Sequence, residues 1–97
     1  MPKLESLVQT PGGAKQFKAV FRLEDDRTKT VRFGTASNYA LDKDKTAADR
    51  AAYIARHKVR EDFGAPMTAG ALSRWVLWGK YHSWKANLAM YRMRFKL

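Results

Sequence analysis

Between Lys15 and Phe33 the chain alternates. Phe17, Ala19, Phe21 and Leu23 fall on one side and Lys18, Val20 and Arg22 on the other, the period of a half-buried strand. Glu24-Asp25-Asp26-Arg27 supplies turn chemistry, after which Lys29, Val31 and Phe33 alternate with Thr28, Thr30 and Arg32 in a second strand. An antiparallel hairpin with Phe17, Phe21, Val31 and Phe33 on one face is marginal until something covers that face. Only the segments downstream can do so, and they carry helical patterns. The expected class is therefore α+β: an N-terminal antiparallel β-hairpin or small sheet packed by three C-terminal helices.

The helices announce themselves by their caps. Thr46 followed by Asp49 has the form of a capping box and predicts a helix from about Ala47 to about Phe63. On a helical wheel Ala52, Ala55, Val59 and Phe63 share one side, read as the packed face. Arg50, Tyr53, Arg56, His57 and Arg60 share the adjoining side, read as a basic stripe. Gly64 is placed to supply a left-handed end, and Pro66 forbids continuation. Thr68 caps a second helix ending at Gly79, whose Ala71, Leu72, Trp75, Val76, Leu77 and Trp78 make it apolar nearly all round and put it in the middle of the domain. Ser83 caps a third helix, with Trp84, Leu88, Tyr91 and Phe95 in an inner stripe and Lys85, Arg92 and Lys96 in a row beside it.

Residues 1–14, broken by Thr10-Pro11-Gly12-Gly13, read as a flexible N-terminal arm, and 15–97 as a single basic domain. The connection from Thr35 to Lys45 reads as a loop tucked down by Tyr39 and Leu41.

Charge narrows the partners. Nineteen Lys and Arg against nine Asp and Glu leave a net charge of +10, and no carboxylate side chain follows Asp62. Such a surplus calls for nucleic acid, an anionic membrane or an acidic protein. The candidate nucleic-acid contacts are Arg50, Arg56, His57, Arg60, Lys80, Lys85, Arg92 and Lys96, because guanidinium forks match phosphate oxygens and each neutralised phosphate releases counterions. The plainer alternative for the stripe is a solvated face partly neutralised by Asp49, Glu61 and Asp62. Tyr53 and His57, one turn apart, read as packing plus a surface histidine before they read as a base-stacking pair. Arg74 reads as structural, held by Glu61 or Asp62 or stacked on a Trp face.

Other classes find less support. The absence of cysteine removes disulfides and thiolate metal sites. His57 with Glu61 and Asp62 is the nearest approach to a reactive group, and it lacks a third metal ligand. There is no phosphate-cradling glycine loop, no HExxH and no nucleophile elbow. The expectation is a protein that is not an enzyme and takes no cofactor or metal. No apolar run is long enough for a signal peptide or a membrane span, which predicts a soluble intracellular protein. The third helix has the makings of a membrane-surface helix, yet its aromatic face is what the hairpin needs as cover.

Several stretches in order carry a resemblance: Thr30-Val-Arg-Phe-Gly34, Tyr53-Ile-Ala-Arg-His57, Arg60-Glu-Asp-Phe63 and Thr68-Ala-Gly-Ala-Leu-Ser-Arg-Trp-Val-Leu-Trp78. Together they resemble a family of small basic proteins of unknown function encoded mainly by large nucleocytoplasmic DNA viruses, over about Lys15 to Phe95. Arg56, His57, Arg60 and Arg74 coincide with the family's pattern, Lys85, Arg92 and Lys96 only with its generally basic end. From Ser37 to Lys45 the family is more polar and lysine-rich than Asn38-Tyr39-Ala40-Leu41. The resemblance implies a virus-encoded protein in an infected host cell, in cytoplasm or nucleus, associated with viral DNA or packaged in the virion. It brings no catalytic motif. The combined expectation is a largely sequence-independent binder of double-stranded DNA, of architectural or packaging type. RNA and single strands stay open, as does a homodimer. The alternative is an interaction module whose basic surface docks an acidic viral or host protein.

Overall fold

A computed structural model describes residues 2–10, 12–35 and 37–97. Three strands, β1 (Lys3–Gln9), β2 (Phe17–Arg22) and β3 (Thr28–Phe33), form one antiparallel sheet in the order β1-β2-β3. The expected hairpin is β2 with β3, in register Phe17 to Phe33 and Ala19 to Val31. Phe17, Ala19, Phe21, Val31 and Phe33 are all buried, and the Phe17 and Phe33 rings stack with centroids 5.5 Å apart. The α+β class and the covering of this face by helices are as the sequence predicts.

The N-terminal segment differs from expectation. Rather than forming an arm, Lys3–Gln9 pairs with β2, setting Leu4 against Phe21 and Leu7 against Ala19. Leu4 and Leu7 are three positions apart and would face opposite sides of a regular strand. A register shift between Leu4 and Ser6 inserts the extra residue that brings both onto the core face. Of the expected break, Thr10 binds back through its amide to the Gln16 carbonyl at 2.7 Å, while Pro11 lies outside the described residues, as do Met1 and Ala36.

Helix α1 (Ala47–His57) starts at Thr46, whose hydroxyl accepts from the Asp49 amide while the Asp49 carboxylate accepts from the Thr46 amide. The helix stops at His57 instead of near Phe63. The Arg60 and Glu61 amides both turn back to the His57 carbonyl, and the Phe63 carbonyl accepts the Trp75 indole N–H at 2.8 Å. Gly64 is not left-handed; positive φ among the glycines belongs to Gly12 and Gly34.

The inner face of α1 is also the reverse of the one expected. Ala52, Ala55 and Val59 are exposed, Val59 at 74%, whereas Arg50, Tyr53, Ile54 and His57 turn inward and are half-buried. Tyr53 lies flat on Trp78, with centroids 4.2 Å apart and planes within 4°. A flat ring and a long aliphatic stem ending in donors cover more apolar and polar surface than alanine methyls can, and the docking follows that difference.

Helix α2 (Ala69–Leu72), capped by Thr68, runs into a π-helical turn (Ser73–Leu77), closed by the Trp78 amide on the Ser73 carbonyl at 2.9 Å. Leu72, Val76, Leu77 and Trp78 are buried there, the central position the sequence assigns them. The exit is too tight for any side chain at Gly79: a Cβ would strike the Trp75 carbonyl oxygen and come within 2.7 Å of Asn87 Cγ. Helix α3 (Trp84–Phe95), capped by Ser83, packs Trp84, Leu88, Tyr91 and Phe95 on the core. Asn87, 1% exposed, binds it to the turn, donating to the Val76 and Tyr81 carbonyls and accepting from the Tyr81 amide. The loop after β3 is held by buried Asn38, which joins the Thr35 carbonyl to the Leu41 amide, and by the Ala40 amide on the Leu77 carbonyl. Tyr39 and Leu41 pack half-buried against the core as expected.

Candidate nucleic-acid interface

Helical C-termini leave carbonyls without intrahelical donors and concentrate negative partial charge. Here the carbonyls of Trp78 and Gly79 at the exit of the π turn gather arginines. Arg50 of α1 donates through Nε to the Trp78 carbonyl at 3.1 Å and to the Gly79 carbonyl at 2.8 Å, and Arg74 of the turn itself donates through Nη1 to the same Trp78 carbonyl at 3.1 Å. The Arg74 guanidinium also lies 4.2 Å from the centroid of the Trp75 ring, and that of Arg94, from the last turn of α3, lies 3.9 Å from it. With Lys80 and Met90 these side chains line a cleft of about 590 Å³.

Among the described residues no carboxylate lines this cleft and none of its cations forms an ion pair. The consequence appears at Arg74, whose pKa is pushed down to about 10, first by burial and then by the positive charges of Arg50 and Arg94. Ring faces and carbonyl dipoles offset part of the cost of assembling three guanidinium groups. They do not neutralise them.

The candidates named from sequence divide into groups. Arg50 and Lys80 lie in this cleft, Lys80 with its ammonium 5.5 Å from the Tyr81 ring. Arg56 and His57 line a second groove of about 430 Å³ with Lys15, Lys45, Tyr53 and Glu61. There His57 stacks on Tyr53 at 4.1 Å, so the pair is packing, continued onto Trp78. His57 Nδ1 stands 3.4 Å from Glu61 Oε1, while Glu61 Oε2 is buried with no hydrogen-bond partner among the described residues. Arg60, Lys85 and Lys96 are exposed, Lys85 with its ammonium 5.7 Å from the Trp84 ring. Arg92 departs from the row drawn through it: half-buried, it donates to the Leu4 and Leu97 carbonyls at 3.2 Å each and ties β1 to the end of α3. Lys85, Arg92 and Lys96 line neither cleft.

Arg74 takes the Trp stack expected of it, with no carboxylate partner among the described residues, and the structure adds Arg94 and Trp75 to the cleft. The signal for them was the carboxylate-free last third of the chain, which includes both arginines. A basic row at i, i+7 and i+11 of the third helix contains Arg92 and not Arg94, two residues on, which faces the cleft.

Among the described residues no three His, Asp or Glu side chains gather as a metal site, and no helix is long and apolar enough to cross a membrane. No protein-family model, curated protein or solved structure matches the chain.

Proposed function

We propose that this protein binds nucleic acid, double-stranded DNA foremost, through its phosphates and with little dependence on base sequence. The observation that carries the reading is the convergence of Arg50, Arg74, Arg94 and Lys80 on one cleft without a carboxylate. Phosphate oxygens supply charge-assisted acceptors for guanidinium donors, and the released counterions drive association. Exposed Arg56, Arg60, Lys85 and Lys96 extend the positive field that would steer a polyanion. Arg92, committed to internal carbonyls, belongs to the frame. The resemblance to small basic proteins of large DNA viruses supports an architectural or genome-packaging role in an infected cell or virion. No catalytic step is part of the proposal.

The test is an electrophoretic mobility shift over a salt series with duplex, single-stranded DNA and RNA probes. Log affinity for duplex should fall linearly with log salt, by roughly 0.9 per phosphate engaged. A flat salt response, or no shift at low salt, overturns the reading.

One observation favours the second reading, an interaction module for an acidic protein. Met90 and Met93 on α3 are 47% and 77% exposed beside Arg94, and soft apolar side chains next to cations suit an acidic partner with apolar anchors. Nuclease-treated protein that retains a defined acidic polypeptide and does not bind duplex would select it.

A further inference from the structure

A duplex offers its charge along an extended rod, one charge for roughly every 1.7 Å of axis. The arginines at the end of the π turn offer more than contacts spaced along such a rod: they come from three separate elements to one place. Arg50 and Arg74 share the Trp78 carbonyl, and Arg74 and Arg94 share the Trp75 ring. Arg74 is half-buried inside the cleft. The cleft volume, about 590 Å³, lies within the roughly 300–1,000 Å³ typical of small-ligand sites.

The donors left over point to the ligand's charge. Arg50 spends only Nε on carbonyls and Arg74 only Nη1, and the Arg94 guanidinium has no hydrogen bond among the described residues. Three partly free guanidinium groups and an ammonium exceed what one phosphodiester, with a single negative charge, neutralises. A phosphomonoester carries about −1.5 to −2 near pH 7 and presents three strong acceptor oxygens. At the mouth, Met90 and Met93 offer flexible, polarizable apolar surface of the kind that makes favourable contacts with ring systems.

We infer that this cleft binds a nucleoside phosphomonoester, its dianionic phosphate held by Arg50, Arg74 and Arg94 with Lys80 at the rim, and its nucleoside against Met90 and Met93. Two sources share this chemistry: a free mononucleotide and the phosphorylated end of a strand. The inference deepens the nucleic-acid reading and rests on it for the strand-end source alone.

The test uses the full chain. Calorimetry with AMP, against adenosine, probes the free nucleotide. Fluorescence anisotropy with internally labelled single strands bearing a 5′-phosphate, a 3′-phosphate or hydroxyls at both ends probes the strand end. Arg94→Gln removes a cleft donor on an exposed helix face, and Lys43→Gln removes the same charge from the exposed loop after β3, outside both clefts, while circular dichroism melts confirm that both variants fold. Expected is AMP binding without adenosine binding, or a preference of roughly tenfold or more for a phosphorylated end, in either case lost in Arg94→Gln and kept in Lys43→Gln. AMP binding without an end preference assigns the free nucleotide as the source, and an end preference without AMP binding assigns the strand end. Absence of both, or equal losses in the two variants, overturns the inference. Salt-dependent duplex binding that persists in that case leaves the backbone reading standing, and AMP binding without any duplex binding does the reverse.

Discussion

Arg50 and Arg74, on different helical elements, donate to one acceptor, the carbonyl oxygen of Trp78, each at 3.1 Å. A shared acceptor fixes two like charges side by side, and the cost is partly offset because the oxygen sits at the end of a helical run and a tryptophan ring lies beneath Arg74. The same contact docks α1, which buries no residue fully and depends on Arg50 and the Tyr53 stack for its position.

Replacing Arg50 should therefore cost stability as well as affinity. Arg50→Met leaves the Gly79 carbonyl without that donor and should destabilise the fold by about 1–3 kcal/mol. For a domain of this size each kcal/mol lowers Tm by about 4–8 °C. Arg56→Met, on the exposed part of the stripe, should stay within about 0.5 kcal/mol. Urea melts of the two variants decide; equal stability would return α1 to the alanine-face packing.

Arg92 should behave as a structural residue. Arg92→Gln releases the Leu4 carbonyl from α3, so amide exchange in β1 should speed up more than in β2, which β3 still pairs. Duplex affinity should fall by no more than for Lys85→Gln. A larger affinity loss with unchanged exchange in β1 would put Arg92 back among the phosphate contacts.

At Gly79 the constraint is steric. Gly79→Ala places a Cβ against the Trp75 carbonyl and within 2.7 Å of Asn87 Cγ, and Asn87 cannot yield without giving up its bonds to the Val76 and Tyr81 carbonyls. A loss of roughly 1–3 kcal/mol, or more, is expected by thermal or urea denaturation. Gly12→Ala meets nothing within 4 Å among the described residues and, despite its positive φ of 87°, should cost less.

The Arg74 cation gives a pH dependence of definite sign. Its pKa in the folded chain, about 10, is below the ordinary arginine value. Below pH 10 the charged group burdens the native state. Above it the folded chain releases the proton while the unfolded chain keeps it, so stability from this group rises with pH. The difference in Tm between wild type and Arg74→Met should shift in favour of wild type from pH 9 to 11. A bound polyanion should raise the Arg74 pKa and reduce that shift, which melts with and without duplex would show.

What sequence made legible here was local. The alternation of Phe17, Ala19 and Phe21 needs only the two-residue period of a strand, the Thr46, Thr68 and Ser83 caps need only the residues three positions on, and the Trp84, Leu88, Tyr91 and Phe95 stripe needs only the helical repeat. Tertiary structure decided three things. The shift between Leu4 and Ser6 hides β1 by putting its leucines out of phase, a fault visible only against β2. The inner face of α1 was set by a ring and two carbonyls 25 to 29 positions along the chain, which outweighed its own alanines. The cleft was set by the π turn, whose extra residue per turn re-aims Arg74 and Trp75 so that Arg94 of the next helix meets them. Periodicity within a segment records how that segment can bury itself; the charges that meet depend on what it is buried against.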